Sequence, residues 1–267
     1  MDLPVIDPII FSIGPVALRW YGLMYLLGFL CAWWLGNYRA RQTNSGWTSE
    51  QVSDMLFYGF LGVILGGRIG YVLFYQIGQL AHDPLYLLRI WEGGMSFHGG
   101  LLGVLVAFWW YGYKQKRGFF GVADFFAPLV APGLFFGRIG NFINGELWGR
   151  EAGEGALLAI RFPQDPDGLY RHPSQLYEAA LEGLVLFVLV WWFSAKPKPR
   201  MAVSGVFALG YGSFRFIVEY FREPDAHLGL GAFALSRGQW LSMPLIVIGI
   251  LFLLMAYRYH QQNKRAG

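Results

Sequence analysis

Seven hydrophobic runs of spanning length fall at residues 18–38, 52–77, 98–113, 119–142, 174–195, 201–221 and 238–257. A bilayer core of about 30 Å is crossed by about 20 apolar residues in helical form. No water there satisfies an open backbone, so helices or closed barrels are the only solutions. The runs predict an all-α integral membrane fold, a polytopic bundle of about seven transmembrane helices forming a single domain over residues 1–267. Composition agrees, with 55% hydrophobic and only 14% charged residues.

Seven spans put the termini on opposite sides of the membrane. One set of connectors holds eleven basic residues, at Arg39, Arg41, Lys114, Lys116, Arg117, Lys196, Lys198, Arg200, Arg258, Lys264 and Arg265. The other holds six, at Arg89, Arg150, Arg161, Arg171, Arg222 and Arg237. The basic excess marks the cytoplasmic side, so a periplasmic N-terminus and a cytoplasmic C-terminus are expected. Residues 144–173 are too polar to span and too long for a tight turn, and they hold Glu146, Glu151, Glu154, Asp165 and Asp167 among Gly and Pro. They are expected to form a small extracytoplasmic head. The stretch DPLYLLRIWEGGMSF, 83–97, is short of a span and suits the membrane interface. Gly62, Gly66 and Gly70, spaced by four, predict the close approach of a partner helix.

A pI near 9.1 would suit nucleic acid, but the basic residues come in twos and threes between apolar runs. Membrane orientation and anionic lipid account for them, and no nucleic-acid partner is expected. Cys31 is the only cysteine and lies in an apolar run, which excludes an intrachain disulfide and reads as packing. The sequence contains no HExxH, P-loop or dinucleotide fingerprint, so neither a metal nor a cofactor is expected.

Four basic residues, Arg19, Arg68, Arg138 and Arg215, fall inside the apolar runs or at their ends. An arginine at membrane depth costs several kcal/mol and normally meets an anion in the protein interior or a wet cavity. In GRIGNFINGELWG, 137–149, Arg138 shares a helical face with Asn141, and Asn144, Glu146 and Gly149 follow. In YGSFRFIVEYFREPD, 211–225, Tyr211, Arg215, Glu219 and Arg222 form one polar stripe. Two readings stand for the arginines: a structural Arg215–Glu219 ion pair, or a phospholipid phosphate shared by Arg138 and Arg215 through their planar forks. Glu178 and Glu182, at helical spacing, are candidates to balance them. His98, in GGMSFHGG, is either a general base or a neutral histidine bonded to a neighbouring helix. Ser96 lies two residues away and does not face it on a helix, which argues against a serine protease. His172, before Pro173 in RHPSQLYE, reads as structural.

The block GRIGNFINGELWG resembles the signature of the prolipoprotein diacylglyceryl transferases position for position. WYGLMY (20–25), GGRIGYVLFY (66–75), GGMSFHGG (93–100), RHPSQLYE (171–178) and YGSFRFIVEYFREPD resemble that family's other blocks in the same order. The resemblance implies transfer of the diacylglyceryl group of phosphatidylglycerol to the lipobox cysteine of a preprolipoprotein, with glycerol 1-phosphate released, in the bacterial inner membrane. It implies phosphate-binding roles for Arg138 and Arg215. It also implies functional roles for Tyr21, His98, Asn141, Glu146, Gly149 and Glu219, with Arg68 and Tyr211 expected beside the lipid. His98 is the favoured base, and Glu146 and Glu219 are the alternatives.

Overall fold

The fold is taken from a computed structural model, which describes all residues except 1, 15, 44, 154, 224–234 and 267. Glu154, and Pro224 and Asp225 at the end of the 211–225 stretch, lie outside the described residues. Helices stand at all seven hydrophobic runs: α1 Trp20–Ala40, α2 Ser49–Tyr75, α4 Phe97–Lys114, α5 Phe119–Ile143, a continuous helix Ser174–Ser194, α8 Ala202–Val218 and α9 Arg237–Ala266. The helix from 174 is composite, with α6 (Ser174–Glu178) and α7 (Leu186–Ser194) joined by a π-helical segment, Ala179–Val185. A short α3, Ile77–His82, follows α2. Among the described residues, Ser49–Tyr75, Phe119–Ile143, Ser174–Ser194 and Arg237–Gln262 are long and apolar enough to cross a membrane, and Ala202–Val218 is apolar but shorter. The chain is a mostly helical membrane protein.

The expectation of an all-α chain needs correction in two places. Strands β1 (Ile9–Ile13) and β2 (Val16–Arg19) form an antiparallel pair before α1, and β3 (Ile160–Arg161) pairs with β4 (Tyr170–Arg171) within 144–173. Strands of two to five residues carry too little alternation to stand out beside spans of twenty. The first pair places Arg19 at the end of β2, opposite Ile9, where it is exposed.

The chain divides into two compact units, residues 33–123 and residues 1–32 with 124–267. In the first, the partner of the Gly62, Gly66 and Gly70 stripe is α4. A Cβ on Gly103 would stand 2.7 Å from the Gly62 carbonyl carbon, and one on Gly70 would stand 2.8 Å from Gly99 Cα. Side chains are excluded from this seam, and the backbones themselves make the contact. Helix α2 starts at a capping box, Thr48 with Gln51, whose carboxamide also accepts from Arg117 at 2.9 Å.

In the other unit, α5, α7 and α8 enclose a core of Ala127, Ala131, Leu186, Val190 and Val203. Asp124, near the start of α5, accepts from the backbone N–H of Met201 (2.7 Å) and Ser204 (2.8 Å) and from the Ser204 hydroxyl (2.6 Å). One carboxylate thus satisfies the orphan amides that open α8. This cap sets the register of the two helices. Arg138 lies fourteen residues beyond Asp124, and Arg215 fourteen beyond Met201. At about 1.5 Å per residue both arginines arrive at one level, about 21 Å from the cap. The helix from 174 runs antiparallel between them, so its first turns meet the arginines and its later turns meet the core.

Candidate active site

Arg138 and Arg215 converge on the buried start of the helix from 174. Glu178 is the hub. Its Oε1 accepts from Arg215 Nη1 and, at 3.1 Å, from Arg222 Nη1, while its Oε2 lies 3.1 Å from Arg138 Nε. Glu182 stands one turn deeper, 3.7 Å from Arg138 Nη2 and 3.8 Å from Arg215 Nη1. Glu219 closes the set, 2.7 Å from Arg215 Nη2. Among the described residues, three arginines therefore face three carboxylates, and that set is formally neutral.

The two kinds of charge are not equally placed. The side chains of Glu178 and Glu182 are 0% exposed, while those of Arg138, Arg215 and Arg222 keep 19%, 15% and 13% exposed. The carboxylates are the more deeply buried partners, and the arginine side chains keep what accessible surface the cluster has. Glu178 Oε2, Glu219 Oε2 and both Glu182 oxygens receive no aligned hydrogen bond. Much of the pairing is therefore coulombic, and arginine N–H groups remain for another acceptor.

The π-helical segment follows Glu178 and contains Glu182. Such segments are rare and concentrate at functional sites. Gly183 lies within this one, and a Cβ there would stand 2.6 Å from Phe135 Cβ and 2.7 Å from Phe135 Cα. The glycine lets the segment touch the α5 backbone three residues before Arg138.

The remaining signature residues build a loop that closes over this helix start. Asn141 Nδ2 donates to Glu146 Oε1 at 2.8 Å, and Asn141 O accepts from Glu146 N at 3.1 Å. Gln175 Nε2 donates to Glu146 O at 2.7 Å, and Ser174 Oγ donates to Leu147 O at 3.0 Å. These bonds hold Leu147 at φ +59°, a conformation uncommon outside glycine. Gly149 sits where three strands of backbone meet. Its N–H donates to His172 O at 2.8 Å, and a Cβ would stand 2.6 Å from that same oxygen. His172 itself packs on Phe221, with Nδ1 3.2 Å from the Tyr177 hydroxyl, as the structural reading expects.

Tyr21, on α1, lies against Gly140, its hydroxyl 3.2 Å from that of Tyr25, with Asn141 and Glu146 as electrostatic neighbours. Tyr211 stacks on Phe207 at 6.1 Å beside the core.

Two expected site residues belong to the 33–123 unit. His98 is exposed in the first turn of α4, edge-on to Phe97, after the Ser96 cap that accepts from Gly99 N. Arg68, expected beside the lipid, is instead buried and engaged with backbone. It donates to the carbonyls of Leu87 (3.2 Å), Gly93 (2.5 Å) and Tyr86 (2.5 Å), with its guanidinium 4.6 Å from the Tyr86 ring centroid. It pins the 3₁₀ turns Pro84–Leu88 and Ile90–Glu92.

Within 144–173, Arg171 binds Asp165 bidentately, Nε to Oδ2 at 2.7 Å and Nη2 to Oδ1 at 3.1 Å, and reaches Asp167 and Glu223 at 3.2 and 3.3 Å. Burial pushes the Asp165 carboxyl up. The Arg171 hydrogen bond and charge, with the backbone N–H groups of Asp167 and Leu169, outweigh that and hold it below the usual carboxylate range.

The family model described as prolipoprotein diacylglyceryl transferase matches residues 8–255, spanning every site residue named above. The chain belongs to this family. It is 60% identical over 258 residues to the phosphatidylglycerol–prolipoprotein diacylglyceryl transferase of Vibrio cholerae serotype O1, covering 97% of this chain and 94% of that one. It is equally 60% identical to the proteins of the same name from Aliivibrio salmonicida, over 100% of this chain and 94% of the relative, and Photobacterium profundum, over 97% and 96%. Within a prolipoprotein diacylglyceryl transferase, the sequence reading left out Arg222 as a site member and the π-helical segment that follows Glu178 and contains Glu182. The first was visible in the stripe Tyr211, Arg215, Glu219, Arg222. The second leaves no mark in sequence beyond Gly183.

Proposed function

We propose that this protein transfers the diacylglyceryl group of phosphatidylglycerol to the lipobox cysteine of preprolipoproteins, the first step of lipoprotein maturation. The observation that carries the reading is the convergence of Arg138, Arg215 and Arg222 on the buried Glu178, with only one aligned hydrogen bond to it from each of Arg215 and Arg222, so that N–H groups are left for another acceptor. In the reaction the cysteine sulfur forms a bond to the glycerol carbon, and the bond from that carbon to the phosphate-ester oxygen breaks. The electron pair leaves on that oxygen as glycerol 1-phosphate, and the product is a thioether.

Charge grows on the phosphate as the carbon–oxygen bond breaks, and guanidinium forks aimed there stabilise it. Arg138 and Arg215 fill that role, with Arg222 completing the cradle. The nucleophile is the substrate's thiol, with an intrinsic pKa of about 8.5, so the chain needs no cysteine of its own for the chemistry. His98 is the favoured proton acceptor. Glu219 is held by Arg215 and Glu146 by Asn141, so both carboxylates already have partners within the chain. Tyr21, Asn141, Gly149 and Tyr211 frame the lipid headgroup by shaping the loop and helix faces around the arginines.

We place all seven helices across the bacterial inner membrane, with membrane lipids around one catalytic domain. Residues 144–173 then form a periplasmic head and the C-terminus is cytoplasmic. Purified protein given phosphatidylglycerol and a lipobox peptide should add the diacylglyceryl mass to the peptide cysteine, read by mass spectrometry. An unmodified peptide with phospholipid intact refutes the activity.

A further inference from the structure

We infer that Glu178 is a positioning residue that limits the grip of the arginine cradle on phosphate, so that the phosphate monoester product can leave. The inference rests on the proposed reaction and deepens it. A phosphodiester enters carrying one negative charge, whereas glycerol 1-phosphate leaves carrying nearly two at neutral pH. Three arginines alone would bind that product more tightly than the lipid. In this fold they never stand alone. Glu178 touches all three from behind, through Oε1 to Arg215 and Arg222 and through Oε2 to Arg138. It is wholly buried and reached from α5, from α8 and from the turn after α8, so its charge is poorly screened and lies within one guanidinium of anything bound in front. Glu182 adds a second charge on the same side at longer range, and Glu219 a third on Arg215.

The arrangement also separates neutralising charge from satisfying donors. Glu178 Oε2 and both Glu182 oxygens receive no aligned hydrogen bond. The carboxylates offset the arginine charges while leaving N–H groups for the ligand. Holding the forks in place and weakening their hold on an anion are thus two effects of one side chain.

The two effects differ in sign under mutation, which makes the inference testable. Glu178→Gln keeps volume and one acceptor oxygen but removes the charge. Glycerol 1-phosphate, titrated calorimetrically into the purified full-length protein, should bind the variant about tenfold more tightly, the effect of one unit charge at this range in a protein interior. The same variant should show a lower KM for phosphatidylglycerol, a lower kcat and stronger inhibition by glycerol 1-phosphate. A purely structural role predicts weaker binding, because loosened arginines grip less well. Unchanged or weaker binding overturns the inference. If Glu178→Gln does not fold, Glu182→Gln should shift binding in the same direction by a smaller factor, and a loss of affinity there overturns the inference equally. Lipid transfer by the wild type separates the two layers. Normal transfer with unaltered product affinity in the variant leaves the reaction standing and removes the role of Glu178, whereas absence of transfer by the wild type removes the reaction.

Discussion

Replacing Arg138 by lysine separates charge from geometry in the cradle. The native side chain uses two nitrogens at once, Nε 3.1 Å from Glu178 Oε2 and Nη2 3.7 Å from Glu182 Oε2. A single ammonium keeps the cluster neutral but cannot hold both positions and also present a fork to phosphate. Removing the charge outright would leave two wholly buried carboxylates with one partner fewer, a change of the kind that costs about 3–5 kcal/mol in stability. The lysine avoids most of that cost, so folded protein is expected. Loss of one donor that acts on developing charge costs about 3 kcal/mol in the transition state, or about a hundredfold in rate. The assay is the initial rate of lipobox-peptide modification at saturating phosphatidylglycerol, with thermal unfolding in detergent as the control for folding. A well-folded lysine variant within about threefold of wild type would show that net charge alone suffices and that the fork geometry is incidental.

Four further outcomes are expected. His98→Gln should lose activity near pH 7 and recover toward wild type by about pH 9, as the substrate thiol ionises unaided; a parallel profile for wild type and variant removes His98 as the base. Asp165 has a depressed folded-state pKa, so its contribution to stability is present above its unfolded value of about 3.9 and is lost as pH falls through the folded value. Asp165→Asn should therefore melt lower at neutral pH and show a flatter decline on acidification, and identical slopes contradict the Arg171 clasp. Gly103→Ala should lower the melting temperature by an amount equivalent to about 1–3 kcal/mol, because its Cβ collides with the Gly62 carbonyl rather than with a movable side chain; an unchanged melting temperature refutes that contact. An alkaline phosphatase reporter fused after Gly267 should be inactive and a cytoplasmic reporter active, and the opposite result inverts the orientation.

What could be read from sequence divides by range. The Arg215–Glu219 pair needs only helical spacing, and the runs alone place the helices. Glu178 lies 37 positions from Arg215 and 40 from Arg138. Its role as hub depends on the Asp124 cap that brings α5 and α8 to one level, which no periodicity announces. The glycine stripe on α2 announced close packing, but its partner is set by glycines on α4, where Gly99 is also part of the helix start capped by Ser96. The β1–β2 pair was hidden for a plainer reason: strands of four and five residues leading into the first run show too little alternation to be recognised.

Arg68 and Arg138 show why an arginine at membrane depth does not by itself identify a ligand site. Both follow glycine in a similar stretch, GGRIGY and FGRIGN, and both lie within helices read as spans. Local sequence gives no ground for assigning them different work. The difference lies in how their donors are used. Arg68 directs Nε, Nη1 and Nη2 to backbone carbonyls of the 86–93 segment at hydrogen-bond distance and is 2% exposed, so little remains to offer a phosphate. Among the described residues, Arg138 is paired with carboxylates at distances and angles that leave N–H groups unspent, and its side chain keeps 19% of its surface exposed. Neutral carbonyls consume donors without cancelling charge, whereas the buried glutamates cancel charge while consuming few donors. The second arrangement suits the proposed site, which holds a phosphate and then releases it as a more highly charged product. Arg138, Arg215 and Arg222 share it around Glu178, and Arg68 does not.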